Sequence, residues 1–587
     1  MLKVLRSAIV VALVASQSTS ALAEPIAKKQ REDREPEAAT GLTHKETVYA
    51  EKFMVASANP YASQAGYNIL AKGGSAVDAT IAVQLVLSLV EPQSSGIGGG
   101  AFFLYWDEDK KQLTTFDGRE TAPKAATPDM FMLESGKPMR WIDAVIGGRS
   151  VGVPGVMHAL YNAHQKHGTL PWKALFEDAI KLAENGFVVS PRLEKLVGMR
   201  MNPGIERMPA IKAYFFPNGE PVKAGDVIVN KKVAKVYRSL ANEGIEPFYN
   251  GWIAKAIVDG VQNAAISPGR LTLEDMKNYR SIERAPVCGP YREYKLCGMG
   301  APSSGGIAVI QILSQLQKFD LSALDPSGAE AIHLMAQSSR LAFADRDRYL
   351  ADPEFVDVPT QGLLAPKYLA KRSELINIEK DMGRAQAGQP AGAFAMAENE
   401  SYNLPSTSHI SVVDADGNAV SMTTSVEMGF GSTLMVEGFI LNNQLTDFSL
   451  RPSKNGQLIA NRVDSNKRPR SSMAPMMVFD QAGGLKLVVG SPGGSRIINY
   501  VTKTMMGILD WKLTPQEAIS LPNMTNRNGE TTLERGTKLA SLKAELEAKG
   551  HKVGIRDLNS GIQAIEITEK GMIGGADPRR EGEVLGQ

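Results

Sequence analysis

The sequence predicts an α+β fold, and three observations carry that expectation. Apolar residues follow helical spacing over most of the stretch from about residue 47 to about 380, with only short strand-like runs between the helices. At residue 408 the period switches to two. Further on, two Gly/Ser/Pro-rich turns flank the strand-like runs Met476–Phe479 and Leu485–Val489. The 587 residues, 43% hydrophobic and 22% charged, suffice for a large core and exclude bulk disorder. Length alone predicts roughly three or four domains. The 65 Lys+Arg against 63 Asp+Glu leave a net charge of +2 and no basic stripe, which excludes a nucleic-acid partner. Two cysteines exclude a disulfide scaffold and a cysteine-built zinc module.

In chain order, residues 1–23 read as a cleaved signal peptide. Lys3 and Arg6 precede the apolar run Ala8 to Ala15, and Ala21-Leu22-Ala23 supplies a small-residue cleavage site. The run is too short to span a bilayer, so no membrane association is expected once it is removed, and the destination is the periplasm or the exterior of a bacterium. Its loss takes away two positive charges and brings the formal net charge to zero. Residues 24–46 are dense in charge and read as a flexible, solvated leader. Ala76–Val90, Val156–Lys166, Trp172–Glu184 and Ala329–Tyr349 follow helical spacing, and Ala101–Trp106 and Leu113–Phe116 read as strands.

Cys288 to Cys297 reads as a hairpin. A two-residue turn at Arg292-Glu293 puts the two cysteines opposite each other as a non-hydrogen-bonded pair. An oxidising compartment favours a disulfide there, and two free buried thiols are the alternative. Residues 383 to 405 are rich in Ala, Gly and Pro and read as a loose loop. That loop feeds a hairpin: Ser408, Ile410 and Val412 alternate with His409, Ser411 and Val413, Asp414–Asn418 turns, and Ala419–Val426 returns. The hairpin starts at Thr407.

Three motif matches fail on their context. Gly96-Ile-Gly98-Gly-Gly-Ala101 fits a dinucleotide fingerprint on paper, but a helical stretch precedes it and a strand follows, the inverse of what a pyrophosphate site needs. Gly148-Arg-Ser150-Val-Gly152 fits a nucleophile elbow, but Val153-Pro154-Gly155 intervene before a helix can start. His164 and His167 share a helix face without an acidic partner motif, so no metal site is expected.

As an ordered set, a series of short motifs resembles the γ-glutamyltranspeptidase family of N-terminal-nucleophile hydrolases. They are Gly73–Ala79, Gly96–Gly100, Arg119-Glu120, Pro302–Gly306, Thr407-Ser-His409, Asn442–Phe448, Lys467–Pro475 and Gly490–Arg496. The resemblance implies a four-layer αββα sandwich and self-cleavage between Ser406 and Thr407. It thus implies a large subunit of residues 47–406 after the leader and a small subunit of residues 407–587, intertwined as a heterodimer. Thr407 would then be both N-terminus and nucleophile. A threonine hydroxyl is a weak nucleophile alone, but its own α-amine, with a reference pKa of about 7.7–8.0, can serve as base.

The resemblance also implies the remaining roles. Arg119, Ser471 and Ser472 would hold the α-carboxylate of a γ-glutamyl donor. Gln444, Asp447 and Glu427 would surround its α-ammonium, Glu427 standing where many members carry Asn. Gly493 and Gly494 would form the oxyanion hole, and Ser425 stands where a second threonine is usual. The lid-forming stretch between Asp447 and Ser471 reads as shortened, which would favour hydrolysis over transfer. The expected partners are γ-glutamyl amides such as glutathione, with water, amino acids or peptides as acceptors, and no cofactor. The alternatives are an acylase for glutaryl side chains of the cephalosporin type and a non-catalytic binding protein on the same fold.

Overall fold

In the computed structural model, which describes residues 41–394, 396–399 and 406–587, two seven-stranded antiparallel sheets form the centre. The first runs in the order Glu583–Gly586, Met54–Ser57, Ser408–Val413, Ala419–Ser425, Gly100–Asp107, Gln112–Gly118, Ile282–Arg284. The second runs Val48–Ala50, Gly571–Ala576, Gln563–Thr568, Leu485–Gly490, Met476–Phe479, Tyr294–Gly298, Val287–Tyr291. Strands from before and after residue 406 are interleaved in both sheets, so no domain boundary falls there.

Alternation along single strands builds the layers, because successive side chains leave a strand on opposite faces. Phe103 and Tyr105 join the core under the helices Pro60–Ala71, Ala76–Val90 and Val156–His167. Phe102, Leu104 and Trp106 join the other core, shared with the second sheet and the helices Gly305–Leu316, Ala329–Tyr349 and Ile497–Leu509. The result is the αββα sandwich. Ala76–Val90 is buried along its whole length, and its start is fixed by a capping box of Ser75 and Asp78. The Asp78 carboxylate also accepts the backbone N–H groups of Thr169 and Leu170, each at 2.9 Å.

The signal segment and residues 24–40 of the leader lie outside the described residues. Residues 41–46 are tied down: Thr43 donates to the Pro578 carbonyl at 2.8 Å and Lys45 Nζ to the Gly582 carbonyl at 2.7 Å. The stretch after residue 383 is irregular but anchored. Buried Asp345 accepts from the Gly388 N–H at 2.8 Å, and Arg372 donates to the Gln386 carbonyl at 3.0 Å. Trp172–Glu184 divides into a 3₁₀ turn, Trp172–Phe176, and a helix, Glu177–Asn185.

Cys288 and Cys297 pair in register and are joined as a disulfide, their Cα atoms 4.2 Å apart. No helix among the described residues is long and apolar enough to cross a membrane. The two helix-face histidines have local partners: His164 contacts the Leu170 carbonyl at 2.9 Å, and His167 stacks on Tyr105 with ring centroids 4.0 Å apart.

Candidate active site

Thr407 stands immediately before the Ser408–Val413 strand, third in the first sheet, where the hairpin register sets it beside Ser425. The Ser406–Thr407 peptide bond is held from several sides. The Thr407 hydroxyl is hydrogen-bonded to the carbonyl oxygen of Ser406. Ser425 Oγ donates to the same oxygen at 2.8 Å while accepting the Glu427 N–H at 2.8 Å. The Ser406 hydroxyl donates to the Gln93 carbonyl at 2.6 Å, and Arg580 donates to the Thr407 carbonyl at 3.3 Å. A hydroxyl therefore lies against the carbonyl of its own peptide bond, and a second hydroxyl polarises that carbonyl.

A narrow cleft of about 30 Å³ opens at this point, lined by Ser406, Thr407, Ser425, Glu427, Gln444, Asp447, Ser471, Ser472, Met473, Gly494 and Ile497. Three short segments deliver the polar groups. The turn after Ala419–Ser425 presents Glu427 at φ +82°, a left-handed conformation held by the Ser425 bond and by Met428 N–H donating to Asn443 Oδ1 at 3.0 Å. The 3₁₀ turn Gln444–Asp447 presents Gln444 and Asp447. The Ser471–Ser472 turn is pinned to Pro302–Gly306: Ser304 donates to the Ser471 carbonyl through N–H at 2.8 Å and Oγ at 2.6 Å, and Ser303 Oγ to the Met473 carbonyl at 2.5 Å.

Gly494 opens the 3₁₀ turn that leads into Ile497–Leu509. Gly493 and Gly494 have φ of +133° and +57°, and a Cβ on Gly493 would come within 2.7 Å of the Tyr500 ring. Of the sequence-predicted residues, Gly493 adjoins the cleft without lining it. Arg119 stands behind it, fully buried. Its guanidinium donates to Asp447 at 2.5 Å and to the carbonyls of Pro469 and Arg470 at 3.1 Å each. The stretch between Asp447 and Ser471 forms a small hairpin, Ser453–Lys454 with Gln457–Leu458. Asn461 closes its base by donating to the Asp447 carbonyl at 2.8 Å and accepting the Arg470 N–H at 2.9 Å.

Acidity dominates the electrostatics. Three buried carboxyls, those of Glu120, Glu427 and Asp447, gather around Arg119. Burial pushes the Glu120 carboxyl up to about 8, only partly offset by Arg119, whose Nη1 lies 3.5 Å away. Burial, reinforced by the Asp447 charge, holds the Glu427 carboxyl well above its ordinary range. Glu427 Oε2 accepts from Asn443 at 2.6 Å, whereas Glu427 Oε1 and Gln444 Oε1 have no hydrogen-bond partner. Two free acceptors beside Asp447 suit a ligand that brings N–H donors and positive charge. Glu120, Asn443, Ser303 and Ser304 lie outside the roles read from sequence; only the presence of Arg119-Glu120, Asn442–Phe448 and Pro302–Gly306 among the motifs pointed to them.

The sequence profile described as gamma-glutamyltranspeptidase matches residues 62–587. The glutathione hydrolase proenzyme of Bacillus subtilis (strain 168) is 38% identical over 556 residues, covering 92% of this chain and 93% of that one. The acylase ACY 1 proenzyme of Pseudomonas sp. (strain V22) is 33% identical over 550 residues, covering 92% and 94%. Among solved structures, the cephalosporin acylase from Bacillus halodurans superposes with a TM-score of 0.81 at 27% identity, over 93% of this chain and 97% of that one.

Proposed function

The chain belongs to the gamma-glutamyltranspeptidase family, and from that premise we propose that it is a self-processing enzyme that cleaves γ-glutamyl amides through Thr407. The observation that carries this reading is the arrangement at Ser406–Thr407, where the threonine hydroxyl abuts the carbonyl before it and Ser425 Oγ donates to that carbonyl at 2.8 Å. In processing, Thr407 Oγ adds to the Ser406 carbonyl carbon, the C–N bond breaks, and the acyl group moves to oxygen as an ester. The nitrogen, now an amine, takes up the hydroxyl proton, and water then hydrolyses the ester. The products are a small subunit beginning at Thr407 and a large subunit ending at Ser406, which stay together as a heterodimer.

The freed α-amine is the base of the mature site. It takes the proton from Thr407 Oγ as that oxygen attacks the γ-carbonyl of the donor. Backbone N–H groups at Gly493 and Gly494 stabilise the tetrahedral oxyanion, and the departing amine accepts the proton. The γ-glutamyl ester on Thr407 is then resolved by water or by an amino-acid or peptide amine. Gln444 Oε1, Glu427 and Asp447 receive the donor's α-ammonium, while Ser471 and Ser472 serve its α-carboxylate and Arg119 holds Asp447 from behind the cleft. Residues 1–23 direct the precursor to the periplasm or the exterior.

The acylase relatives favour a second reading, an acylase, for which the glutaryl side chain is the substrate to weigh. A glutaryl group has a carboxylate in the corresponding place but no α-amine, so it leaves Glu427 Oε1 and Gln444 Oε1 without a donor. That observation favours glutamyl. Initial rates on γ-glutamyl and glutaryl anilides decide between them: the glutamyl reading predicts a kcat/KM at least tenfold higher on the γ-glutamyl substrate, and a reversed preference establishes the acylase. Turnover of neither would leave a binding protein.

A further inference from the structure

Ser471 and Ser472 lie side by side in the cleft, and each hydroxyl is already supplied with a proton by the protein. The Met473 N–H donates to Ser471 Oγ at 3.1 Å, and Arg346 Nη2 donates to Ser472 Oγ at 2.6 Å. A guanidinium has no lone pair to offer, so Ser472 accepts in that bond and keeps its own proton to give elsewhere. No acceptor among the described residues takes the proton of either hydroxyl. Arg346 is firmly placed for this task. It lies in the last turn of Ala329–Tyr349 with a side chain only 3% exposed, its Nε donates to Ser304 Oγ at 2.9 Å, and its Nη1 donates to Asp347 at 2.6 Å. Ser304 in turn clamps the Ser471 carbonyl, so one guanidinium holds both the Pro302–Gly306 turn and the hydroxyl it backs. Arg119, by contrast, does not line the cleft: its Nε and Nη2 donate to Asp447 and two carbonyls behind it, and its Nη1 stands 3.5 Å from Glu120.

We infer that Arg346 is a positioning and specificity residue: through Ser472 it turns the hydroxyl pair into a charge-backed donor site for the carboxylate of the acyl donor. A cation one hydrogen bond behind a hydroxyl polarises its O–H and adds attraction for an anion without occupying the cleft. The inference rests on the donor reading above. It predicts that selectivity for donors bearing a carboxylate depends on a residue that never touches them.

The test compares three anilides on protein whose cleavage into two chains has been checked by denaturing electrophoresis: γ-glutamyl, glutaryl, which keeps only the carboxylate, and 4-aminobutyryl, which keeps only the amine. Arg346→Gln is expected to raise KM about tenfold on the first two, to leave kcat within about twofold, and to leave 4-aminobutyryl unchanged, with Arg346→Lys intermediate. An equal change on all three substrates, or no change on any, overturns the assignment. Should Arg346→Gln not fold, Arg346→Lys carries the same comparison with a shift of a few-fold and the same overturning result. Calorimetric titration of the same proteins with glutarate separates the two claims. If the wild type turns over none of the anilides, the donor reading fails, and glutarate affinity decides alone: weakening by Arg346→Gln supports the inference and an unchanged affinity overturns it.

Discussion

At the scale of single residues, two buried carboxyls are the groups whose protonation the site controls. Burial, with the Asp447 charge behind it, raises the Glu427 carboxyl well above its ordinary range. A bound α-ammonium favours its ionised form, so binding a γ-glutamyl donor near neutral pH is expected to release up to one proton. Isothermal titration in buffers of different ionisation enthalpy measures this, and Glu427→Gln should abolish it. Glu120, raised from 4.5 to about 8, acts on stability with a definite sign. A carboxyl whose folded pKa exceeds its unfolded one contributes fully below the unfolded value, and the contribution is lost as pH rises through about 8. Glu120→Gln should therefore remove this carboxyl's contribution to the change of Tm between about pH 4.5 and 8.

At the scale of elements, local patterning is what a sequence records. The Ala76–Val90 and Ala329–Tyr349 helices and the hairpin after Thr407 follow from period and turn chemistry. So does the cysteine register, since Arg292 at φ +52° makes the two-residue turn. Less legible is what one sheet requires of the other. His409, two residues along the strand from the nucleophile, faces the second sheet, bonded to Thr423 Oγ1 at 2.9 Å and Ser411 Oγ at 3.1 Å. Gly490 lies directly over its ring: a Cβ there would be 2.2 Å from His409 Cε1. The glycine at the end of Leu485–Gly490 reads as a turn residue from composition, yet its missing side chain lets the two sheets approach. Gly490→Ala is expected to cost about 3 kcal/mol in urea unfolding and to impair processing by shifting the Thr407 strand. Arg346 is hidden for a similar reason, since helical spacing buries it and nothing local marks its contact with a serine 126 positions later.

At the scale of the whole molecule, the several domains predicted from length give way to one sandwich whose sheets alternate strands from either side of residue 406. Cleavage removes one peptide bond and none of the strand pairings, so the two chains are expected to co-elute on size exclusion and to separate only in denaturant. Acid is expected to loosen the assembly. Burial lowers His409 to about 3, and burial foremost lowers His158 and His551 to about 4 each. A histidine with a depressed folded pKa contributes stability above its unfolded value of about 6.5, and loses it as pH falls towards the folded one. Stability should thus decline steadily from about pH 6.5 to 4, read as a falling Tm, and His551→Gln should reduce the slope.

Thr407 as self-made nucleophile is the centre of the account, and intact mass with N-terminal sequencing of purified wild type and Thr407→Ala tests it most directly. The predicted result is two wild-type chains, the smaller beginning at Thr407 and gaining one glutamyl group when a γ-glutamyl donor is quenched in acid, against a single inert chain for Thr407→Ala. An uncut wild type that is nonetheless active, or turnover by Thr407→Ala, would contradict it.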